Sequence, residues 1–342
     1  MNEIVCKLYK ATGCTQKKRK KQIIRTDTMI KIYIDGQEGT TGLKILERFE
    51  GRNDIELLRI DEDKRKDTAE RKKFINASDF TFLCLPDVAA KEAVSLVENE
   101  NVRIIDASTA HRTNPAWAYG FPELSPAHRE KIKTSKRVAV PGCYASGFAS
   151  LIYPLINAGL MQPDYPVFAY ATSGYSGAGK KAIAQYEDEN RNSELDSPRQ
   201  YALTQQHKHL PEMQLISGLK NKPMFNPIIC DYFSGMVVSV PLQRSLLEKK
   251  AGIEAVHEAF VRHYENSSFI KVAALGGTDI IPDGFLASNT LSGTNNMQIF
   301  VCGNDEQILL CSRLDNLGKG ASGAAVQCLN IMMGIDETTG LI

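Results

Sequence analysis

No run of eighteen apolar residues occurs in this chain of 342 residues, so no helix drawn from it is long and apolar enough to cross a membrane. Its eight cysteines are scattered, at 6, 14, 84, 143, 230, 302, 311 and 328. There is no C-x-x-C and no histidine pair at metal spacing. That argues against a disulfide framework and a zinc site, and fits reduced thiols in a cytoplasmic setting. No internal repeat or low-complexity segment is present, which excludes solenoids and fibres. Charge of one sign is also missing from the body. Residues 1–28 hold eight Lys/Arg against Glu3 and Asp27, a balance of +6, whereas the remainder holds 33 basic and 38 acidic residues, or −5. An acidic body argues against nucleic-acid binding by the folded part. The leader carries Lys17-Lys18-Arg19-Lys20-Lys21 but no apolar h-region, so it reads as a solvated extension rather than a secretory signal, with Met29 as an alternative start.

What remains is an ordinary soluble composition, 43% hydrophobic and 24% charged, at a length that suits two domains. Ile30–Asp35 is a short β-branched run followed by Gly36-Gln37-Glu38-Gly39-Thr40-Thr41-Gly42 and a helical pattern from Leu43 to Phe49. A G-x-x-G-x-x-G turn between strand and helix lets backbone approach a pyrophosphate at a helix N-terminus. Further strands are predicted at 55–60, 80–85 and 102–105, with helical stretches between them. The alternation implies a doubly wound, parallel, Rossmann-type α/β sheet. At the end of the second strand, Asp61 suits an adenosine ribose hydroxyl, whereas Arg59, Lys64, Arg65 and Lys66 suit a 2′-phosphate, which leans the reading toward NADP.

Cys143 stands where Pro141-Gly142 break a strand and an apolar helix runs from Tyr144 to Leu160. The unpaired N–H groups and positive dipole of a helix start favour a thiolate, the nucleophilic form. Gly36–Gly42, Leu85-Pro86, Ser108–Arg112 and Cys143 all fall at carboxyl ends of strands, where such sheets bind ligands. Beyond Leu160, strands predicted at 166–172, 235–242, 296–302 and 307–313, with a helix near 250–265, indicate a second α+β domain built on a mainly antiparallel sheet. A small-residue helix from Asp315 to Gly334 returns to the first. The division is therefore 29–142 with 314–342, and 143–313.

A nicotinamide fold with a helix-capped cysteine points to acyl transfer through a thioester. Proton transfer beside the sulfur falls to His207 or His209, with Glu212 able to orient the former; His111 is a third candidate. Arg112, at the crevice edge, and Lys180, in the Gly-rich Ser176–Lys181 stretch, are candidate anion holders.

Taken together, Gly36-x-x-Gly39-x-x-Gly42, Asp106-x-Ser108-x-x-x-Arg112, Tyr119–Leu124, Pro141-Gly142-Cys143-Tyr144, Ser176–Lys180, His207-Lys208-His209-x-Pro211-Glu212 and Asp315–Ala321 occur in this order over some 300 residues. The series resembles the shorter form of the N-acetyl-γ-glutamyl-phosphate reductases of arginine biosynthesis, over residues 29 to 342. The resemblance implies NADPH-dependent reductive dephosphorylation of an N-acylated glutamyl phosphate to its semialdehyde, in a homodimer or homotetramer. It implies Cys143 as nucleophile, His207 as acid/base and Glu212 as its partner. Arg112, Lys180 and His209 would hold substrate. Gly36, Gly39, Thr40, Thr41, Gly42, Arg59, Ser108, Ser176, Gly177 and Asn316 would line NADP(H), with no metal. Lys180 departs from the arginine common among relatives, and Phe233-Ser234-Gly235 lacks an arginine that the pattern leads one to expect. Aspartate-semialdehyde dehydrogenase, with the same chemistry on another acyl phosphate, is the nearest rival. A nucleotide-sensing regulator without catalysis is a different kind of alternative.

Overall fold

A computed structural model describes residues 29–341; the basic leader lies outside the described residues. The first sheet is made of β1 (Ile30–Asp35), β2 (Ile55–Leu58), β3 (Phe80–Leu83), β4 (Arg103–Asp106), β5 (Ala118–Tyr119) and β6 (Arg137–Ala139), in the order β2-β1-β3-β4-β6-β5. Every pairing in it is parallel. Alternate residues of one strand serve opposite faces. Ile32 and Ile34 join a core with Ile45 and Phe49 of the first helix and with Ala324–Met332 near the C-terminus, whereas Tyr33 joins a second core with Ile75, Ala90 and Ala93. Both faces are thus covered by helices, the condition under which an all-parallel sheet is stable.

The second sheet holds β7 (Phe168–Gly174), β8 (Arg199–Gln200), β9 (Met224–Cys230), β10 (Met236–Gln243), β11 (Ile270–Val272), β12 (Met297–Gly303) and β13 (Gln307–Leu314), in the order β11-β12-β13-β10-β7-β9-β8. It is mixed. β10 pairs antiparallel with β7 and β13, β12 with β13, and β8 with β9. The pairs β7–β9 and β11–β12 are parallel. Strands β9 and β11 are absent from the sequence reading because Pro227 interrupts the pattern of the first and the second is three residues long.

The helix Cys143–Asn157 is buried on most sides and packs on Ala169, Ala171, Val238 and Leu314 of this sheet. Gly147 allows the close approach: a Cβ there would lie 2.6 Å from Val238 Cγ2. Pro154 interrupts the helix interior and cannot donate to the carbonyl of Ser150 four residues back. The hydroxyl of Tyr264 donates to that carbonyl instead, at 2.8 Å. The stretch expected as one helix from Asp315 to Gly334 is divided into a π-turn, Gly318–Ser322, and an α-helix, Gly323–Met333.

Candidate active site

The strand order reverses between β1 and β3, and there the Gly36–Gly42 turn meets the carboxyl ends of the first sheet. Gly36 has φ +87°, and a Cβ on it would strike the carbonyl of Cys84. A Cβ on Gly42 would lie 2.7 Å from the Gly36 carbonyl, so the turn closes only with glycine at both places. The helix Thr40–Phe49 that follows has no side-chain cap on its N-cap residue Gly39, which leaves first-turn N–H groups for an anion. A cleft of about 230 Å³ joins Gly39, Thr40 and Thr41 to Ala107, Ser176, Gly177 and Leu317. Five of the sequence-predicted cofactor residues therefore line one space. Asn316 lies behind them: its Nδ2 donates to Ser176 Oγ at 3.0 Å, and its Oδ1 accepts the Gly235 N–H at 2.7 Å.

A second cleft of about 400 Å³ extends from the same turn and is lined by Asp35, Ile60, Arg65, Lys66 and Arg71 among others. Arg59 is exposed and does not line it, whereas Arg65 and Lys66 of the same basic cluster do. The physical reason is strand phase, because β2 ends at Leu58 and the next side chain turns to solvent. Arg71, which the sequence reading missed, is buried and pairs with Asp35 at 2.9 Å and Glu92 at 3.0 Å. Burial raises the Asp35 carboxyl above its usual range, and the Arg71 guanidinium opposes that rise. A lone arginine in a charged helix carries no sequence signal for this.

Cys143 is the first residue of its helix and is partly accessible. Its thiol is shifted above the usual cysteine range. Burial pushes it up to about 11, against the opposing pull of Arg112 and of the Tyr144 backbone N–H. The desolvation of a thiolate outweighs what one helix start and one guanidinium return, so the dipole argument alone misjudged the resting state. The sign for pH follows: the thiolate fraction grows as pH rises toward that value. Alkylation of Cys143 by iodoacetamide, followed by mass spectrometry of its peptide, should accelerate about tenfold per pH unit between roughly pH 7 and 9. A plateau reached below about pH 8 would contradict this assignment.

Glu212 is where the structure departs furthest from the sequence reading. It does not touch His207. Its fully buried carboxylate accepts from Arg112 Nη1 at 3.1 Å, Tyr119 Oη at 2.8 Å and the Gly142 N–H at 2.8 Å. A five-residue spacing fits a turn of helix, but the helix here begins at Leu210 and leaves His207 in the preceding loop, aimed elsewhere. His207 is half-buried, with Tyr144, Tyr201 and Phe225 around its ring. Its Nδ1 accepts the His209 backbone N–H at 3.1 Å, which assigns the proton of the neutral ring to Nε2. Burial and Lys208 push it down to about 4. His209 is buried, and burial and Arg112 hold it well below the usual imidazole range. A Cβ built on Gly142 would lie 2.5 Å from both His209 Nε2 and Arg112 Nη1, so both side chains converge on the residue before Cys143.

Arg112 is fixed by three acceptors: Val140 O, Ala107 O and Glu212. Ser108 is buried, its hydroxyl donating to Asp106 Oδ2 at 2.8 Å, and it stands behind the cleft lining rather than in it. His111 bonds the same carboxylate oxygen at 2.6 Å and stacks on Trp117, a structural post for the loop that carries Arg112. Lys180 lies exposed at the start of the helix Lys180–Tyr186 and pairs with no carboxylate among the described residues. Among those residues there is also no group of three or more potential metal ligands.

Residues 31–134 match the family described as semialdehyde dehydrogenase, NAD binding domain, and residues 143–316 the semialdehyde dehydrogenase dimerisation domain. The N-acetyl-gamma-glutamyl-phosphate reductase 2 of Nostoc sp. is 47% identical over 318 residues, covering 91% of this chain and 99% of that protein. The N-acetyl-gamma-glutamyl-phosphate reductase of Burkholderia lata is 46% identical over 305 residues, covering 89% of this chain and 96% of that one. Among solved structures, aspartate semialdehyde dehydrogenase from Francisella tularensis superposes with a TM-score of 0.66 at 15% identity, covering 89% of this chain and all of the other, a likeness of fold. With a nicotinamide-type crevice, a helix-start cysteine beside it and relatives this similar along nearly their whole length, the chain belongs to the N-acetyl-γ-glutamyl-phosphate reductases of the semialdehyde dehydrogenase family.

Proposed function

We propose that this enzyme reduces an N-acylated γ-glutamyl phosphate to the semialdehyde, with Cys143 as nucleophile and NADPH as reductant. The observation that carries it is the convergence of Arg112 and His209 on Gly142, immediately before a cysteine that opens a helix. Cys143 Sγ gives up its proton and attacks the acyl carbon, the bond to phosphate breaks, and a thioester results with the proton carried away on the free phosphate. A nicotinamide cofactor, when bound, supplies the hydride that brings the acyl group to the aldehyde level. The first turn of the helix Thr40–Phe49, with Ser176 and Gly177, would hold its phosphates, and Arg65 and Lys66 would favour a 2′-phosphate. Arg112 spends three of its five N–H groups on the protein, and the remaining two are free for a substrate carboxylate or phosphate. His207 relays protons at this centre: one drawn from solvent reaches the oxyanion that hydride transfer leaves, and as the aldehyde departs the hydroxyl proton passes through the imidazole to Cys143 Sγ, restoring the thiol. His209 borders the same space and contacts substrate. Glu212 holds Arg112 and the Gly142 N–H in place rather than orienting His207. Subunits pair through the second domain.

His207→Asn should lower kcat by ~10²–10⁴, the range for a positioned acid/base. A mild His207→Asn beside an inactive His209→Asn would exchange the two roles. The substrate is tested by phosphate-dependent reduction of NADP and of NAD with N-acetylglutamate semialdehyde and with aspartate semialdehyde. Preference for the N-acetylated substrate and for NADP is expected. Preference for aspartate semialdehyde would overturn the assignment.

A further inference from the structure

The π-turn Gly318–Ser322 touches both the start of the Cys143 helix and the helix Thr40–Phe49 that follows the Gly36–Gly42 turn. π-turns are rare and concentrate at functional sites. A Cβ built on Gly320 would lie 2.7 Å from Cys143 Cβ and 3.1 Å from Cys143 Cα, inside the 3.4 Å of ordinary contact. The nucleophile's own Cα and Cβ thus rest against a bare glycine. The helix of Cys143 cannot retreat from an added methyl, because Gly147, one turn on, is already closed against Val238. The Gly320 N–H donates to the Asp315 carbonyl at 2.9 Å, so the turn is closed upon itself.

The residue before Gly320 anchors that turn at depth. Lys319 is 2% exposed. Its ammonium donates to Glu123 Oε1 and to Gln327 Oε1, both at 2.6 Å, and lies within 5.4 Å of the ring centres of Phe121 and Phe269. Gln327 Nε2 closes the ring by donating to Glu123 Oε1 at 2.8 Å. A buried ammonium held between two acceptors admits few geometries, since shifting it leaves a charge unpaired in a low-dielectric site. The proposed chemistry of the enzyme makes no use of this cluster.

We propose that Lys319 and Gly320 are positioning residues for Cys143: the Lys319–Glu123–Gln327 ring pins the π-turn, and Gly320 sets the sulfur's distance from the crevice. The proposal rests on Cys143 being the reacting group. The test uses the full chain and two readouts, steady-state kinetics and the rate of Cys143 alkylation by iodoacetamide, with Cys143→Ala identifying the adduct by mass. Gly320→Ala should lower kcat ~10²-fold, the size of effect a displacement near 1 Å produces. KM for both substrates should stay within about twofold, and the alkylation rate at fixed pH should change about tenfold or more. Lys319→Met combined with Glu123→Gln, which removes both charges together, should give the same signature at smaller size; it carries the test should Gly320→Ala fail to fold. Folded variants whose kcat and alkylation rate both lie within about twofold of the parent would overturn the proposal, as would a lower melting temperature with native-state alkylation unchanged. Alkylation requires no acyl phosphate. A parent inactive on every acyl phosphate but alkylated at a rate that Gly320→Ala alters would sink the proposed activity and leave the positioning role standing.

Discussion

Replacing Cys143 by alanine should lower turnover by at least ~10⁴-fold while NADPH binding persists, because the covalent route disappears and the crevice does not. The side chain makes no hydrogen bond that the fold requires, and its neighbours on the helix, Tyr144 to Leu155, supply the buried contacts. The loss should therefore fall on kcat, with cofactor affinity by fluorescence titration and melting temperature close to the parent's. A Cys143→Ala protein that kept a tenth of the parent's rate would remove the thioester from the mechanism.

Glu212 bears the second large effect, on stability as well as rate. Its carboxylate holds three donors from three separate stretches: Arg112 after β4, Tyr119 in β5 and the Gly142 N–H ahead of Cys143. Glu212→Ala strands the buried Arg112 guanidinium and orphans the Gly142 N–H, which should cost about 3–5 kcal/mol in urea unfolding. Turnover in the folded fraction should fall as well, because Arg112 and Gly142 flank Cys143. Glu212→Gln keeps an acceptor but turns an amide toward Arg112 or Tyr119, so it should cost less than the alanine variant. A Glu212→Ala protein within about 1 kcal/mol of the parent would mean that the network contributes nothing net.

Much of this site is legible from local pattern. The Gly36–Gly42 turn declares itself because a strand, a tight turn and a helix each leave a signal within a few residues, and the turn permits only glycine where carbonyls crowd it. Cys143 is legible for the same reason, as a cysteine following a Pro-Gly break before an apolar helix. Ser176 and Asn316 are named by motif, but nothing local says that their side chains touch. Arg59 was misplaced because a basic cluster carries charge without direction, and strand phase decides which of its members enters a cleft. Arg71 and Lys319 were invisible as buried cations, since a single charged residue within a helix or a Gly-rich stretch reads as solvated.

By itself, then, the order of residues determined the two-sheet α/β architecture and the family, and singled out the Gly36–Gly42 turn and Cys143 as candidates, because each depends on neighbours close in sequence or on a series of motifs. Only the tertiary structure decided who partners whom. Glu212 lies five residues from His207 but bonds Arg112, a hundred residues away, and Gly320 meets Cys143 across most of the second domain. It likewise decided the direction in which the Cys143 thiol shifts, upward, because burial is a property of the packed molecule and its cost exceeds what a single helix start gives back.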